Sequence, residues 1–266
     1  MCIKQIKMRR QLLFIVAVLA GSFSSCIIIN DCIEGNRNLD TEERTTSGFT
    51  AIANETSFEV IYRRSDITSV TVEAESNILP YIVTDVSGGA LEIRTTRGTH
   101  CLRYTIQPVI VVTAPFIDEL VNAGSGDIIA GPLEGEEVKI VVSGSGDIIS
   151  GSVDCSSASF VISGSGEIKT GAVDTQEFKV TISGSGNANT SGNTANARYV
   201  MSGSGILFAE DLVTDYASVT ISGSGSVYAT VLQNLTAVIS GSGNIYLYGD
   251  PDINITRTGS GKVVKL

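Results

Sequence analysis

In the stretch "FVISGSGEIKTG" the apolar residues Phe160 and Ile162 alternate with Val161, and the same parity resumes beyond the glycines at Ile168. If an extended chain runs through, Phe160, Ile162, Gly164, Gly166 and Ile168 share an inner face, while Ser163, Ser165, Glu167 and Lys169 share an outer one. The register recurs in "KIVVSGSGDI", "KVTISGSGNA", "YVMSGSGIL", "SVTISGSGSV" and "LTAVISGSGNI". Gly-Ser-Gly itself occurs eight times, starting at Gly124, Gly144, Gly164, Gly184, Gly203, Gly223, Gly241 and Gly259, in steps of 20, 20, 20, 19, 20, 18 and 18 residues. Flexible Ser/Gly linkers keep no such period.

A unit of about twenty residues with two or three short strands cannot bury its apolar face alone, so neighbouring units must stack. The pattern predicts an all-β chain, a parallel β-helix (solenoid) whose coils lie about 4.8 Å apart with equivalent positions in columns. Gly at inner positions admits close backbone approach across the lumen or a corner with positive φ, and alternation leaves both open. The intervening serines are expected to form an outer column of hydrogen-bonded hydroxyls. Before the repeats, "SFEVIYRR", "ITSVTVEAE", "ALEIRTT" and "PVIVVTAPFIDEL" read as strands bounded by turn residues. The expected organisation is a signal peptide over residues 1–25, a tether over 26–47 and a β-helix domain over 48–266. Within that domain, 48–120 form irregular first coils and 121–266 the eight regular repeats.

The first segment carries Lys4, Lys7, Arg9 and Arg10 ahead of the apolar run Leu12 to Ala20, then small residues up to Cys26. This is an export signal. Cys26 after Phe23-Ser24-Ser25 looks like a lipobox, with Phe where Leu is preferred, so Cys26 is the expected site of acylation and of membrane attachment. The segment that follows it is polar and charged, as a tether would be. Cleavage removes four of 18 basic residues and none of 28 acidic ones, leaving a net charge of −14. That excess argues against nucleic acid. Of the cysteines that remain, Cys32 and Cys101 are the favoured disulfide pair and Cys155, within the repeats, the free thiol.

The segments "GNRNLDTEERTTSGFTAI" and "APFIDELVNAGSGDI", with the recurring "SGSGNI"-like units, resemble a Bacteroidetes envelope family described as putative auto-transporter adhesin, head GIN domain. The likeness covers roughly residues 35–266 and implies a parallel β-helix on a secreted lipoprotein with a binding role. Several members carry Gly-Asn-Gly where this chain has Gly35-Asn36-Arg37.

Two outer columns bear on chemistry. After each Gly-Ser-Gly stand Asp127, Asp147, Glu167, Asn187, Ile206, Ser226, Asn244 and Lys262. No metal is expected, although stacked Asp127, Asp147 and Glu167 are the candidates for a calcium ion that would relieve their repulsion. Two residues further on the column reads Ile129, Ile149, Lys169, Asn189, Phe208, Tyr228, Tyr246 and Val264, with Tyr248 beyond on the last of these strands. Phe208, Tyr228, Tyr246 and Tyr248 are either a ladder that stabilises the stack or a flat contact strip for a glycan or an envelope protein. Catalysis finds little support: the single histidine, His100, adjoins Cys101 with opposite strand parity, and there is no tryptophan for sugar subsites. No cofactor is expected. The sequence therefore favours a lipid-anchored envelope protein, periplasmic or surface-facing, that binds; an envelope structural or assembly protein is the alternative, and a polysaccharide-acting enzyme the last.

Overall fold

The computed structural model describes residues 32–99 and 101–266. Residues 33–266 form one unit, almost wholly of strands, with the 3-10 turn Leu79–Tyr81 as the one helical element among the described residues. The expected export signal, Cys26 and His100 lie outside the described residues.

The repeats stack as parallel coils in the expected columns. One inner column reads Ile128, Ile148, Ile168, Ala188, Leu207, Val227, Ile245 and Val263, each opposite the next. Parity survives the glycine bend: Ile162, Gly166 and Ile168 are buried while Ser163, Ser165 and Lys169 are exposed. On the longest side of each coil, large residues alternate with small ones up the stack. Ala158, Phe178 and Ala197 occupy one column, and Phe160, Val180 and Tyr199 the column beside it. The rings interleave edge to face, Phe160 to Phe178 at 4.9 Å and 88°, Phe178 to Tyr199 at 6.3 Å and 82°. Alternating volume is what lets consecutive coils close to native density.

The glycines do neither of the two things alternation allows. None of the repeat Gly-Ser-Gly glycines has a positive φ, and the opposing wall is not what crowds them. Their neighbour is the same glycine one coil below: a Cβ built on Gly184 would fall 2.0 Å from the Gly164 carbonyl oxygen, and one on Gly164 1.9 Å from that of Gly144. The closing glycine behaves alike, Gly186 over Gly166 at 2.0 Å. The backbone bends so tightly here that coil rests on coil with no room for a side chain. Gly164 accepts hydrogen bonds from the amides of both Ser185 and Gly186, at 3.1 and 3.2 Å, so the ladder continues through the bend. Gly-Ser-Gly is an axial seam.

The N-terminal region is more ordered than its sequence suggests, and its coils are out of chain order. Ala51–Asn54 and Glu59–Arg64 pair directly below the first repeat strands, and Thr56 lies under Gly124 as the glycines do elsewhere. Ala90–Thr95 and Val109–Ala114 make the next coil down. Antiparallel strands then finish this end: Ile82–Ser87 along Ala90–Thr95, and Ser69–Glu75 along Val109–Ala114.

The expected tether over 26–47 is corrected where it is described. Ile33–Glu34 pairs with Leu102–Arg103, and Leu39–Arg44 lies antiparallel along Ser69–Glu75. "LDTEER" carries no apolar alternation because it is an exposed edge strand. Backbone pairing holds it, and the turn that leads into it is held by Glu75, which has no solvent exposure. Its carboxylate accepts from the Arg37 amide at 2.6 Å, the Thr105 amide at 2.9 Å and the Thr105 hydroxyl at 2.7 Å. Burial alone would raise its pKa; the hydrogen bonds from Thr105, Arg37 and Ile106 outweigh that and lower it. Gly35 crosses the carboxylate so closely that any Cβ would collide with it. Asn36 binds its own turn, accepting from the Asn38 amide at 3.0 Å. Arg37 has φ 61°, the left-handed region where glycine is at ease. A glycine there would meet the same turn without strain.

Cys32 and Cys101 are both disulfide-bonded, and Cys155 is a free buried thiol whose pKa burial pushes up. No helix of the described residues is long and apolar enough to cross a membrane.

Candidate functional site

The outer column runs in unbroken register, Ile129, Ile149, Lys169, Asn189, Phe208, Tyr228, Tyr246 and Val264. The three aromatic rings are half-buried, and Tyr248, beside Thr230, is exposed. The structure thus brings Phe208, Tyr228 and Tyr246 together, with Tyr248 one strand step away on the same face. The flat strip expected from parity is not what forms. Phe208 stacks on Tyr228 with centroids 5.5 Å apart and planes at 17°, and Tyr228 on Tyr246 at 4.5 Å and 12°. A coil spacing of about 4.8 Å is close to ring-stacking distance, so the rings face one another along the axis instead of lying on the surface. Ring edges and the tyrosine hydroxyls are what this ladder turns outward. Below it, Ile129 and Ile149 extend the apolar column, 38% and 41% exposed, before Lys169 and Asn189 interrupt it.

The acidic column has a structural task. At the bend, the amide of the residue after Gly-Ser-Gly bonds to a side chain of the coil below: Asp147 to Asp127 Oδ1 at 2.9 Å, and Glu167 to Asp147 Oδ1 at 2.7 Å. Asn187 and Asn244 serve Ile206 and Lys262 in the same way, at 2.8 and 3.0 Å. A short acceptor side chain is what an otherwise unpaired amide needs there, and Asn does it as well as Asp. No group of three or more metal-ligating side chains gathers among the described residues. The serine column is looser than expected: its one hydroxyl-to-hydroxyl bond among the described residues joins Ser260 to Ser242 at 3.1 Å.

Among known families, the one described as putative auto-transporter adhesin, head GIN domain, matches residues 48–176 and again 149–251. The chain belongs to this family. The two overlapping matches within this adhesin-head family follow from the solenoid, whose coils repeat one local pattern. Among solved structures, one described as a putative lipid binding protein from Parabacteroides distasonis is 29% identical, with TM-score 0.76, over 88% of this chain and 99% of that one. A putative adhesin from Parabacteroides merdae is 24% identical with TM-score 0.81, over 89% and 99% of the two chains. A second putative adhesin from P. distasonis has 21% identity and TM-score 0.79, over 89% and 100%. The latter two show the common fold. A search of curated proteins finds no match.

What the sequence did not single out is Glu75, which ends a strand of alternating pattern and looks like one more exposed carboxylate. Its only signal was the "GNR" turn that the chain carries forty residues earlier.

Proposed function

We propose that this protein is a non-catalytic binding protein of the cell envelope, attached through a lipid on Cys26, which holds out the solenoid as a contact surface for a glycan or another envelope protein. The observation that carries the reading is the ordered aromatic ladder Phe208, Tyr228 and Tyr246, set on the outer face of the rod. Membership in an adhesin-head family and the adhesin fold of the neighbours support it. The printed description of the 29%-identical neighbour concerns lipid; in this chain, the lipid we infer is the anchor. Ring edges and hydroxyls suit a protein interface or sugar hydroxyls, and the acidic remainder of the surface keeps the rod soluble.

Two variants test this reading. Tyr228→Ser with Tyr246→Ser removes two stacked pairs, worth about 0.5–1.5 kcal/mol each, so a modest fall in melting temperature is expected. Circular dichroism should stay unchanged while retention on arrays of long glycan polymers or envelope proteins, partners that span several coils, is lost. Unchanged binding with the same loss of stability would reduce the ladder to a stabilising device. For the anchor, Cys26→Ala should leave the protein unlabelled by radioactive fatty acid and released from membranes; label that persists, or moves to Cys32, contradicts it.

A second reading, an assembly role, has its own observation. Among the described residues the strand Asp252–Arg257 pairs with Ser226–Ile239 alone. Ile253 and Ile255, in register with buried Leu235 and Ala237, are 43% and 44% exposed.

A further inference from the structure

The repeats hold their register along most of the rod, and the departures gather at one corner. Register shifts fall between Lys169 and Ala172, between Asn189 and Ser191, and between Ala209 and Val213, with a further one between Thr214 and Tyr216. All lie on the stretch that turns from the ladder face toward the long side of the coil. Here Gly192 stands in an inner column between Val173 and Leu212, with φ 114°. A Cβ on it would fall 2.2 Å from the Val173 carbonyl oxygen, so the chain sinks onto the coil below. Ala195 follows, small and half-buried, between the positions of Gln176 and Asp215. In the next pairing, three residues of one coil, Glu210 to Leu212, have no counterpart between Ala229 and Thr230.

The result is a groove of about 330 Å³ crossing several coils. Asp174, Asn193 and Asp215 supply its polar wall, and Ala195, Val213 and Leu232 its apolar one. Val213 and Leu232 are 36% and 50% exposed. Asp174 and Asn193 have no side-chain hydrogen bond among the described residues, and Asp215 accepts one long bond, from Gln233 Nε2 at 3.3 Å. Gln233 in turn accepts from the Tyr216 hydroxyl at 2.7 Å, which fixes the amide that holds the carboxylate. Among the described residues no lysine or arginine lines the groove.

We infer that this corner groove is a binding site for a neutral, hydroxyl-rich ligand, one or two residues of a glycan chain. The volume stands at the low end of the range of about 300–1,000 Å³ for small-molecule sites. Carboxylates and an amide with open acceptor and donor positions match vicinal hydroxyls, and the apolar wall matches the C–H face of a sugar ring. Two carboxylates without a cation exclude uronic acids, sialic acids and phosphorylated sugars. Bulges that break an otherwise even ladder are characteristic of places where a fold is shaped for contact. The inference deepens the glycan side of the reading above and rests on it for the class of partner, but it uses none of the ladder residues.

The test is saturation-transfer NMR on the soluble solenoid with a panel of glucose, galactose, mannose, N-acetylglucosamine, their common disaccharides, glucuronate and glucosamine. Transfer to at least one neutral sugar and none to glucuronate is expected. Asp215→Ala, and Ala195→Leu, which fills the groove, should each weaken that binding at least tenfold with circular dichroism unchanged; Asn193→Ala replaces either variant if it fails to fold. Tyr228→Ser with Tyr246→Ser should leave the transfer intact, which separates this groove from the ladder. Transfer to no neutral sugar, transfer that survives both groove variants, transfer lost with the ladder, or transfer to glucosamine alone would each overturn the assignment.

Discussion

Gly184→Val should cost the solenoid about 3 kcal/mol or more, whereas Ser185→Val, one residue away, should cost well under 1 kcal/mol. Both substitutions put a valine at neighbouring residues of one bend, adding three heavy atoms at Gly184 and one at Ser185. They differ in what they meet. At Gly184 the first carbon alone would stand 2.0 Å from the Gly164 carbonyl oxygen and 2.5 Å from that of Ser163. No rotamer relieves a clash of Cβ with backbone, so the coils must part and the hydrogen bonds from Ser185 and Gly186 to Gly164 must lengthen. Ser185 points outward and is exposed. For a domain of this size about 3 kcal/mol corresponds to a fall in melting temperature of roughly 6–12 °C. Equal tolerance of the two, or the reverse order, would mean that coils do not rest on one another at the glycines.

Acid should release the N-terminal edge before it affects the repeats. Glu75 is ionised, buried and held by backbone and hydroxyl donors, and its folded pKa is lowered below the usual glutamate range of about 4.3. A carboxylate with a depressed folded pKa contributes stability that is fully present above its unfolded pKa and is lost as pH falls through the folded one. Protonation turns an acceptor for Arg37 and Thr105 into a donor facing donors. Amide hydrogen exchange in Leu39–Arg44 should therefore rise sharply below about pH 4, once corrected for the intrinsic pH dependence of exchange, while Ile168–Ile182 stays protected. Glu75→Gln should show the raised exchange already at neutral pH and lose the acid step. Protection of Leu39–Arg44 that is the same at pH 3 and pH 7 would contradict the role given to this carboxylate.

Parity was fully legible in the sequence. Alternation assigned Ile162 and Ile168 inward and Ser165 outward, the period assigned the columns, and the column assigned Phe208, Tyr228 and Tyr246 to one line on the outer face. Alternation could not say what crowds the glycines, because the answer is the glycine one coil away and not the wall across the lumen. Nor could it orient the rings: parity places a side chain on a face, while the spacing of the coils and the side-chain torsions decide whether rings stack or lie flat. The coil made by Ala90–Thr95 and Val109–Ala114 was hidden for another reason. It lies beneath a coil that precedes it in the chain, and a local pattern carries no record of such a crossing. The segment Leu39–Arg44 has no apolar face, since a buried carboxylate and backbone pairing hold it. The shortened steps among the repeats were visible, but a count of residues does not show at which corner the chain sinks inward.

The most direct test of the account is to present the soluble solenoid, at concentrations where light scattering shows a monomer, to an array of neutral and charged glycans and of envelope proteins, and to assay the same glycans for cleavage. Retention on a defined subset of spots, abolished by the ladder or the groove variants and with every glycan intact, is the predicted result. Shortened glycans, or no retention at all, would contradict it.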